Sequence, residues 1–299
     1  MYSFKVPEDK KINIIIDSDA KNEADDQYAI VHALLSPKLN VKGIIGTQFS
    51  KRRTLTSMIE SYEECKKLVS LMNFSTPVYK GNVEALDSLE HYEVSEGSKF
   101  IIEEAKKAEG ELYIACMGAL TNIAVAVLHE PSIADKISIV WVGGRLNVSD
   151  DKGYEANARN DYKAVNVVME RCSKILHIPY ETYTMMQVSI AELELRVKPY
   201  HEIGEYLFNQ LNDFNYNINR PWTNGESWNM GDTTSISVLI NKHSATYAKR
   251  NAFILDKELN VAEIDKEITA VTSIDSRYAM EDFYAKLVLF SRHQKQTLF

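Results

Sequence analysis

The chain has 299 residues, 45% of them hydrophobic and 25% charged, the proportions of an ordinary globular protein with enough chain to bury a core. Its 34 Lys and Arg against 42 Asp and Glu leave a net charge of -8, which disfavours a broad nucleic-acid footprint or attraction to an anionic membrane but leaves room for an acidic pocket. The three cysteines, Cys65, Cys116 and Cys172, form no CxxC pair, so a disulfide framework and a cysteine zinc site are both disfavoured and a reducing cytoplasm is expected.

The N-terminus MYSFKVPEDKK has no apolar signal core, and every apolar stretch is broken well short of a membrane span. A cytoplasmic protein with neither a membrane nor a nucleic-acid partner is expected. In chain order, short apolar and β-branched runs predict strands over residues 12–16, 41–45, 112–116, 137–142 and 175–178. Helices are predicted between most of them, one from Ala24 to Leu35 stopped by Ser36-Pro37, another carrying Leu55, Met58, Ile59, Tyr62, Val69 and Met72. MEDFYAKLVLF, residues 280–290, reads as a closing amphipathic helix with Phe283, Leu287 and Phe290 toward the core. The alternation implies βαβ units, hence an α/β fold with an open, mostly parallel, Rossmann-like central sheet flanked by helices. With no Pro/Gly/Ser-rich linker and no fixed repeat, residues 1–299 are expected to form a single domain.

Four polar or glycine-bearing segments directly follow predicted strands: Asp17-Ser18-Asp19, Gly46-Thr47-Gln48, Met117-Gly118 and Gly143-Gly144. Ligands of open α/β sheets bind outside the carboxyl ends of the strands, so these segments should meet at one crevice. The first opens the stretch IIIDSDAKNEADDQYAIVHALL, which packs Asp17, Asp19, Glu23, Asp25 and Asp26 between a strand and a helix. Aspartates this close repel one another unless protons or a cation neutralise them, and hard oxygen ligands suit Ca²⁺ or Mg²⁺. The same carboxylates also suit a helix first turn, where the macrodipole favours negative charge. The loop lacks the glycine and closing glutamate of an EF-hand. A strand ending in DxD also resembles the first motif of Mg²⁺-dependent haloacid-dehalogenase-like phosphatases, with Asp17 as nucleophile, though Ala20-Lys21 departs from their pattern.

Asp17-Ser18-Asp19 with Asp25-Asp26 resembles the DxDPGxDD signature of the inosine–uridine-preferring nucleoside hydrolases, with a spacer two residues longer. ACMGALTNIAVAV (115–127) resembles that family's GPLTN segment, VWVGG (140–144) its MGG segment and EANARNDYKA (155–164) its EFN segment, while Asp232 in MGDTTSISVLI resembles its last aspartate. The pieces agree in order over about residues 11–240. The resemblance implies the nucleoside hydrolase fold and Ca²⁺-dependent cleavage of the N-glycosidic bond of a ribonucleoside or ribosylated metabolite, through an oxocarbenium-like transition state. It also implies a homodimer or homotetramer. A ribose-binding protein on the same fold that has lost turnover is an alternative from another class.

Carried over by position, the resemblance makes Asp19 a metal ligand and the general base, and adds Asp26, Asp232 and the backbone carbonyl of Met117 as metal ligands. Asp25, Glu155 and Asn157 would contact substrate, and Asp17 would support the site from behind. Asp232 also suits a helix N-cap, as does Asp161, and Asn122 suits a helix brace. Where inosine- and uridine-preferring relatives place a His before the last aspartate, this chain has Gly231. Its seven His residues offer no obvious substitute. Trp222 and Trp228, in NRPWTNGESWNMGD, suit stacking on a purine base, with Trp228 the first choice, and equally suit core packing.

Overall fold

A computed structural model describes residues 1–146, 155–218 and 223–297. The strands are β1 (Ile12–Ser18), β2 (Leu39–Gly46), β3 (Val78–Lys80), β4 (Leu112–Cys116), β5 (Ile137–Val142), β6 (Lys174–Ile178), β7 (Gln187–Ser189), β8 (Ser227–Asn229), β9 (Ala245–Leu255) and β10 (Val261–Ile274). The helices are α1 (Asp26–Leu35), α2 (Ser57–Leu71), α3 (Glu96–Lys107), α4 (Thr121–His129), α5 (Ala156–Asn160), α6 (Tyr162–Arg171), α7 (Tyr180–Tyr183), α8 (Ile190–Arg196), α9 (His201–Ile218), α10 (Thr233–Ile240) and α11 (Ser276–Thr297).

Eight strands form one sheet in the order β3-β2-β1-β4-β5-β6-β10-β9, and β7 pairs with β8 in a small second sheet. Every pairing in the large sheet is parallel except β9 with β10. The middle of β1, Ile14–Ile16, and all of β5 are buried, as strands covered on both faces by helices must be. One core layer takes Ile14 and Ile16 against α1, α10 and α11, and the other takes Ile15 and Trp141 against α3, α4 and α6. Alternate residues of β1 thus point to opposite faces of the sheet.

The expected strands are present, and those at 112–116 and 137–142 have the expected bounds. The expected α2 starts later, because Leu55 lies outside it and is 79% exposed. In α11, Phe283, Leu287 and Phe290 are buried, as their spacing implied. The β9–β10 hairpin had no counterpart in the sequence reading. Its strands run partly exposed, so their pattern lacks the continuous apolar run that marked the other strands. No described helix is long and apolar enough to cross a membrane.

The chain leaves β1 toward β2 and β3 on one side and later fills β4 and β5 on the other. The order therefore reverses between β1 and β4, and the crevice at their carboxyl ends is the topological switch point where such sheets bind ligands.

Candidate active site

Three chain segments bring carboxylates to that crevice. Asp19 stands just beyond β1, Asp25 and Asp26 open α1, and Asp232 precedes α10. Two helix N-termini thus meet at the crevice, each with a positive dipole end that favours negative charge. The Asp232 N–H donates to Asp25 Oδ2 at 3.2 Å. Asp232 occupies the N-cap position of α10, yet its side chain makes no capping hydrogen bond. The carboxylate serves the cluster instead of the helix.

The cavity here has a volume of 70 Å³ and is lined by Asp19, Glu23, Asp25, Asp26, Glu155 and Asp232, together with Met117, Asn157, Asn22, Tyr183 and others. No Lys, Arg or His is among the described lining residues. Oxygens of Asp25, Asp26 and Asp232 lie within 4.8 Å of one another, and all three residues are buried. The sequence expectation grouped Asp19 with Asp26 and Asp232 and gave Asp25 to the substrate. The structure draws Asp25 into the tightest trio and leaves Asp19 on the wall of the same cavity, where its Oδ2 accepts from Asn22 Nδ2 at 3.1 Å.

Burial and mutual repulsion push these acids upward. Burial is the main cause at each: Asp26 rises to about 7, with repulsion from Asp25 next, and Asp25 rises to about 6. Glu23 rises to about 8 through burial and then Asp25, against some relief from Arg53. Asp19 and Asp232 are held well above the carboxylate range by burial and then by neighbouring aspartates. A cluster of hard oxygen donors with no basic residue in the described lining matches the needs of a divalent cation of the Ca²⁺ or Mg²⁺ kind, which would neutralise it and release the protons.

Behind the cavity, Asp17 is fully buried and both its oxygens are bound, one by Thr47 Oγ1 at 2.7 Å and the other by Asn122 Nδ2 at 2.8 Å. The main-chain oxygen of Asp17 also accepts from Met117 N–H at 2.8 Å, joining β1 to the loop after β4. Asn122, expected to brace its own helix start, thus braces Asp17. Gly118 lets Asp19 sit against that loop, since a Cβ there would lie 3.0 Å from Asp19 Cγ. A phosphatase nucleophile would need Asp17 open to substrate. Here it is enclosed and paired.

Glu155 Oε1 accepts from Asn157 N–H (2.9 Å) and Tyr183 Oη (3.2 Å), and its Oε2 from Gly144 N–H (2.7 Å) and Ala158 N–H (2.9 Å). Four bonds saturate a carboxylate. Asn157 Nδ2 donates to the carbonyls of Met117 (3.0 Å) and Val142 (2.9 Å), so the carbonyl expected to meet a metal is engaged by Asn157, and both residues line the cavity. Asp161 caps α6 by accepting from Ala164 N–H at 2.9 Å, as expected.

A second cavity of 350 Å³ adjoins the first, sharing Glu23, Glu155, Ala156, Tyr183 and Asn229 and adding Arg145, Tyr180 and Trp228. Trp228 lines it while packing edge-on to Phe214 at 5.7 Å, and it is only 3% exposed. Both expected settings, core and cavity wall, therefore meet in one residue. Trp222 lies outside the described residues. Sequence reasoning missed Tyr183 and Asn229. Tyr183 had a usable signal, since it follows the predicted strand at 175–178 and so falls at a carboxyl end. Among described residues, no His lines either cavity. His32 is buried against Asp282 at 2.7 Å, and His177 against the Gly143 carbonyl at 2.7 Å.

The profile of the family described as inosine-uridine preferring nucleoside hydrolase matches residues 14–281. The chain belongs to this family. Similar curated proteins are the pyrimidine-specific ribonucleoside hydrolase of Escherichia coli (strain SE11), 28% identical over 53% of this chain and 56% of that one, and uridine nucleosidase 1 of Arabidopsis thaliana, 26% identical over 62% and 61%. The chain thus spans little more than half the length of these two relatives. The solved purine-preferring ribonucleoside hydrolase from Gardnerella vaginalis superposes with a TM-score of 0.78 at 21% identity, over 93% of this chain and 99% of that one. That likeness shows the shared α/β nucleoside hydrolase fold.

Proposed function

We propose that the protein hydrolyses the N-glycosidic bond of a ribonucleoside, releasing free base and ribose, with Ca²⁺ as its metal and purine nucleosides preferred. The observation that carries the reading is the buried trio Asp25, Asp26 and Asp232 at the switch point, in a cavity with no basic lining, in a chain of this family. Asp26, Asp232, the Met117 carbonyl and Asp19 or Asp25 would hold the cation, whose charge would lower the pKa of a water and order the ribose hydroxyls.

The chain's own residues carry the remaining work. Asp19 takes the proton of the water that adds to C1′, while the bond from C1′ to the base nitrogen breaks and its electron pair leaves with the base. Positive charge developing on the ribose is stabilised by the surrounding carboxylates. Asp25 and the side-chain oxygen of Asn157 meet ribose hydroxyls. Glu155, saturated by four donors, holds Asn157 and Tyr183 in place. Asp17 fixes the loop that presents Met117.

The preference for purines is supported by the aromatic lining of the larger cavity, which offers flat surfaces to a bicyclic base. We take residues 1–299 as one folding unit, because a single large sheet reaches from β3 to β9. Three buried, unpaired cysteines support a reducing, cytoplasmic setting, and assembly into a homodimer or homotetramer rests on the family resemblance. A second reading, a ribose binder without turnover, is favoured by Gly231 alone.

Free-base release from a panel of purine and pyrimidine ribonucleosides with Ca²⁺ separates the two. The expected outcome is release, fastest from purines, with Asp19→Asn lowering kcat by about 10³-fold, as the loss of a general base does. Nucleoside binding without release would favour the second reading.

A further inference from the structure

The geometry points to Tyr183 as the residue that meets the leaving base, filling the volume that a side chain at position 231 would need. This rests on the N-ribohydrolase reading and names the specificity residue within it. A Cβ built on Gly231 would lie 2.8 Å from Tyr183 Cδ2. Real Cβ atoms do not approach a ring that closely, and Cδ2 is not the far end of a flexible chain. The two positions are therefore alternative occupants of one space. In this chain a ring from α7 fills it, not a side chain next to Asp232.

Tyr183 stands where the two cavities join. It lines both the acidic one, suited to ribose, and the larger aromatic one, suited to the base, so its ring borders the bond between them. The ring is fixed from both ends. Its hydroxyl donates to Glu155 Oε1 at 3.2 Å, and Tyr180 packs edge-on against it with centroids 5.5 Å apart. Asn229 also lines both cavities, and its Oδ1 is buried with no hydrogen-bond partner among the described residues. An orphaned buried acceptor beside an aromatic face suits a flat heterocycle that carries an N–H. The inferred substrate class is accordingly a riboside with an aromatic, N–H-bearing base, gripped by the ring of Tyr183 while its hydroxyl remains on Glu155.

Calorimetric titration of the Ca²⁺-loaded protein with hypoxanthine and, separately, with D-ribose tests this. Tyr183→Ala is expected to weaken hypoxanthine by about tenfold to a hundredfold, the range for lost base stacking, with D-ribose affinity held within about threefold. Tyr183→Phe, which keeps the ring, is expected to restore most of the hypoxanthine affinity. Gly231→His is expected to weaken hypoxanthine comparably, because the imidazole must displace the ring, and adding Tyr183→Ala to it should weaken binding no further, since the ring's contact is already lost. Parallel loss of ribose and base affinity in Tyr183→Ala would overturn the inference in favour of a bracing role through Glu155. So would a Tyr183→Phe as weak as the alanine variant, or a Gly231→His that binds hypoxanthine normally. If the unaltered protein binds neither ligand, the N-ribohydrolase reading falls together with the inference. If it binds both without dependence on Tyr183, the inference alone falls.

Discussion

The two adjoining cavities are made from different parts of the fold. Beyond the residues it shares with the outer one, Glu23 and Glu155 among them, the inner one takes Asp19 from the end of β1, Asp25, Asp26 and Asp232 from the starts of α1 and α10, and Met117 and Val142 from beyond β4 and from β5. The bonds of Asp17 to Thr47, Asn122 and Met117 tie the end of β1 to the segments beyond β2 and β4 and to α4. The outer one is walled by the four-residue α7, the loop before β8 and the three-residue pair β7–β8. The clustered carboxylates stand on rigid strand and helix ends, whereas the cavity proposed to take the base is walled by short, loop-borne elements. The contrast predicts different responses to perturbation.

The largest expected effect is on stability, and it belongs to the inner cavity. Asp25, Asp17, Asp26 and Glu23 have folded values raised to about 6, 7, 7 and 8, so between pH 4 and pH 8 the metal-free folded protein holds protons that the unfolded chain releases. Stability is then fully present below the unfolded values and is lost as pH rises through the folded ones, at about 1.4 kcal/mol per pH unit for each retained proton. Thermal unfolding in chelator should show Tm falling from pH 5 to pH 8. Saturating Ca²⁺ should raise Tm most at pH 8, by about 2.7 kcal/mol of binding free energy at a hundred times Kd. A metal-free Tm that rises across this window would break the account of the cluster.

Next in size is the effect of Gly118→Ala. Its methyl would lie 3.0 Å from Asp19 Cγ, and displacing the proposed general base by a few tenths of an ångström is expected to lower kcat about tenfold. Hypoxanthine affinity, proposed to depend on the outer cavity, should change little, and calorimetry beside steady-state kinetics would show whether the cavities separate in this way. The smallest expected effect is that of Trp228→Phe, which keeps an aromatic wall while shortening the contact with Phe214. It should raise KM about threefold, with a smaller change in kcat, consistent with the modest value of one aromatic contact. A loss in kcat larger than that of Gly118→Ala would reverse the division of labour.

The strands of the parallel sheet were legible because burial on both faces demands apolar, β-branched runs such as INIII and ISIVWV. The β9–β10 hairpin was not, because its partly exposed edge tolerates mixed residues, and only Thr269 and Ala270 of β10 pair with the buried strand β6. Asp19, Asp25, Asp26 and Asp232 were legible as candidates by residue type and order. Which of them approach most closely was not, since Asp232 reaches Asp25 across 207 positions of chain.

By itself the sequence determined the parallel α/β class, the placement of a site at the strand ends and the acidic character of that site, because periodicity, strand-end position and charge are local properties of the chain. Only the tertiary structure decided that Asp25 joins Asp26 and Asp232, that Glu155 is saturated by four donors, and that Tyr183 occupies the space beside Gly231. Each of these depends on distances between segments far apart in the chain, which close packing sets and local pattern does not encode.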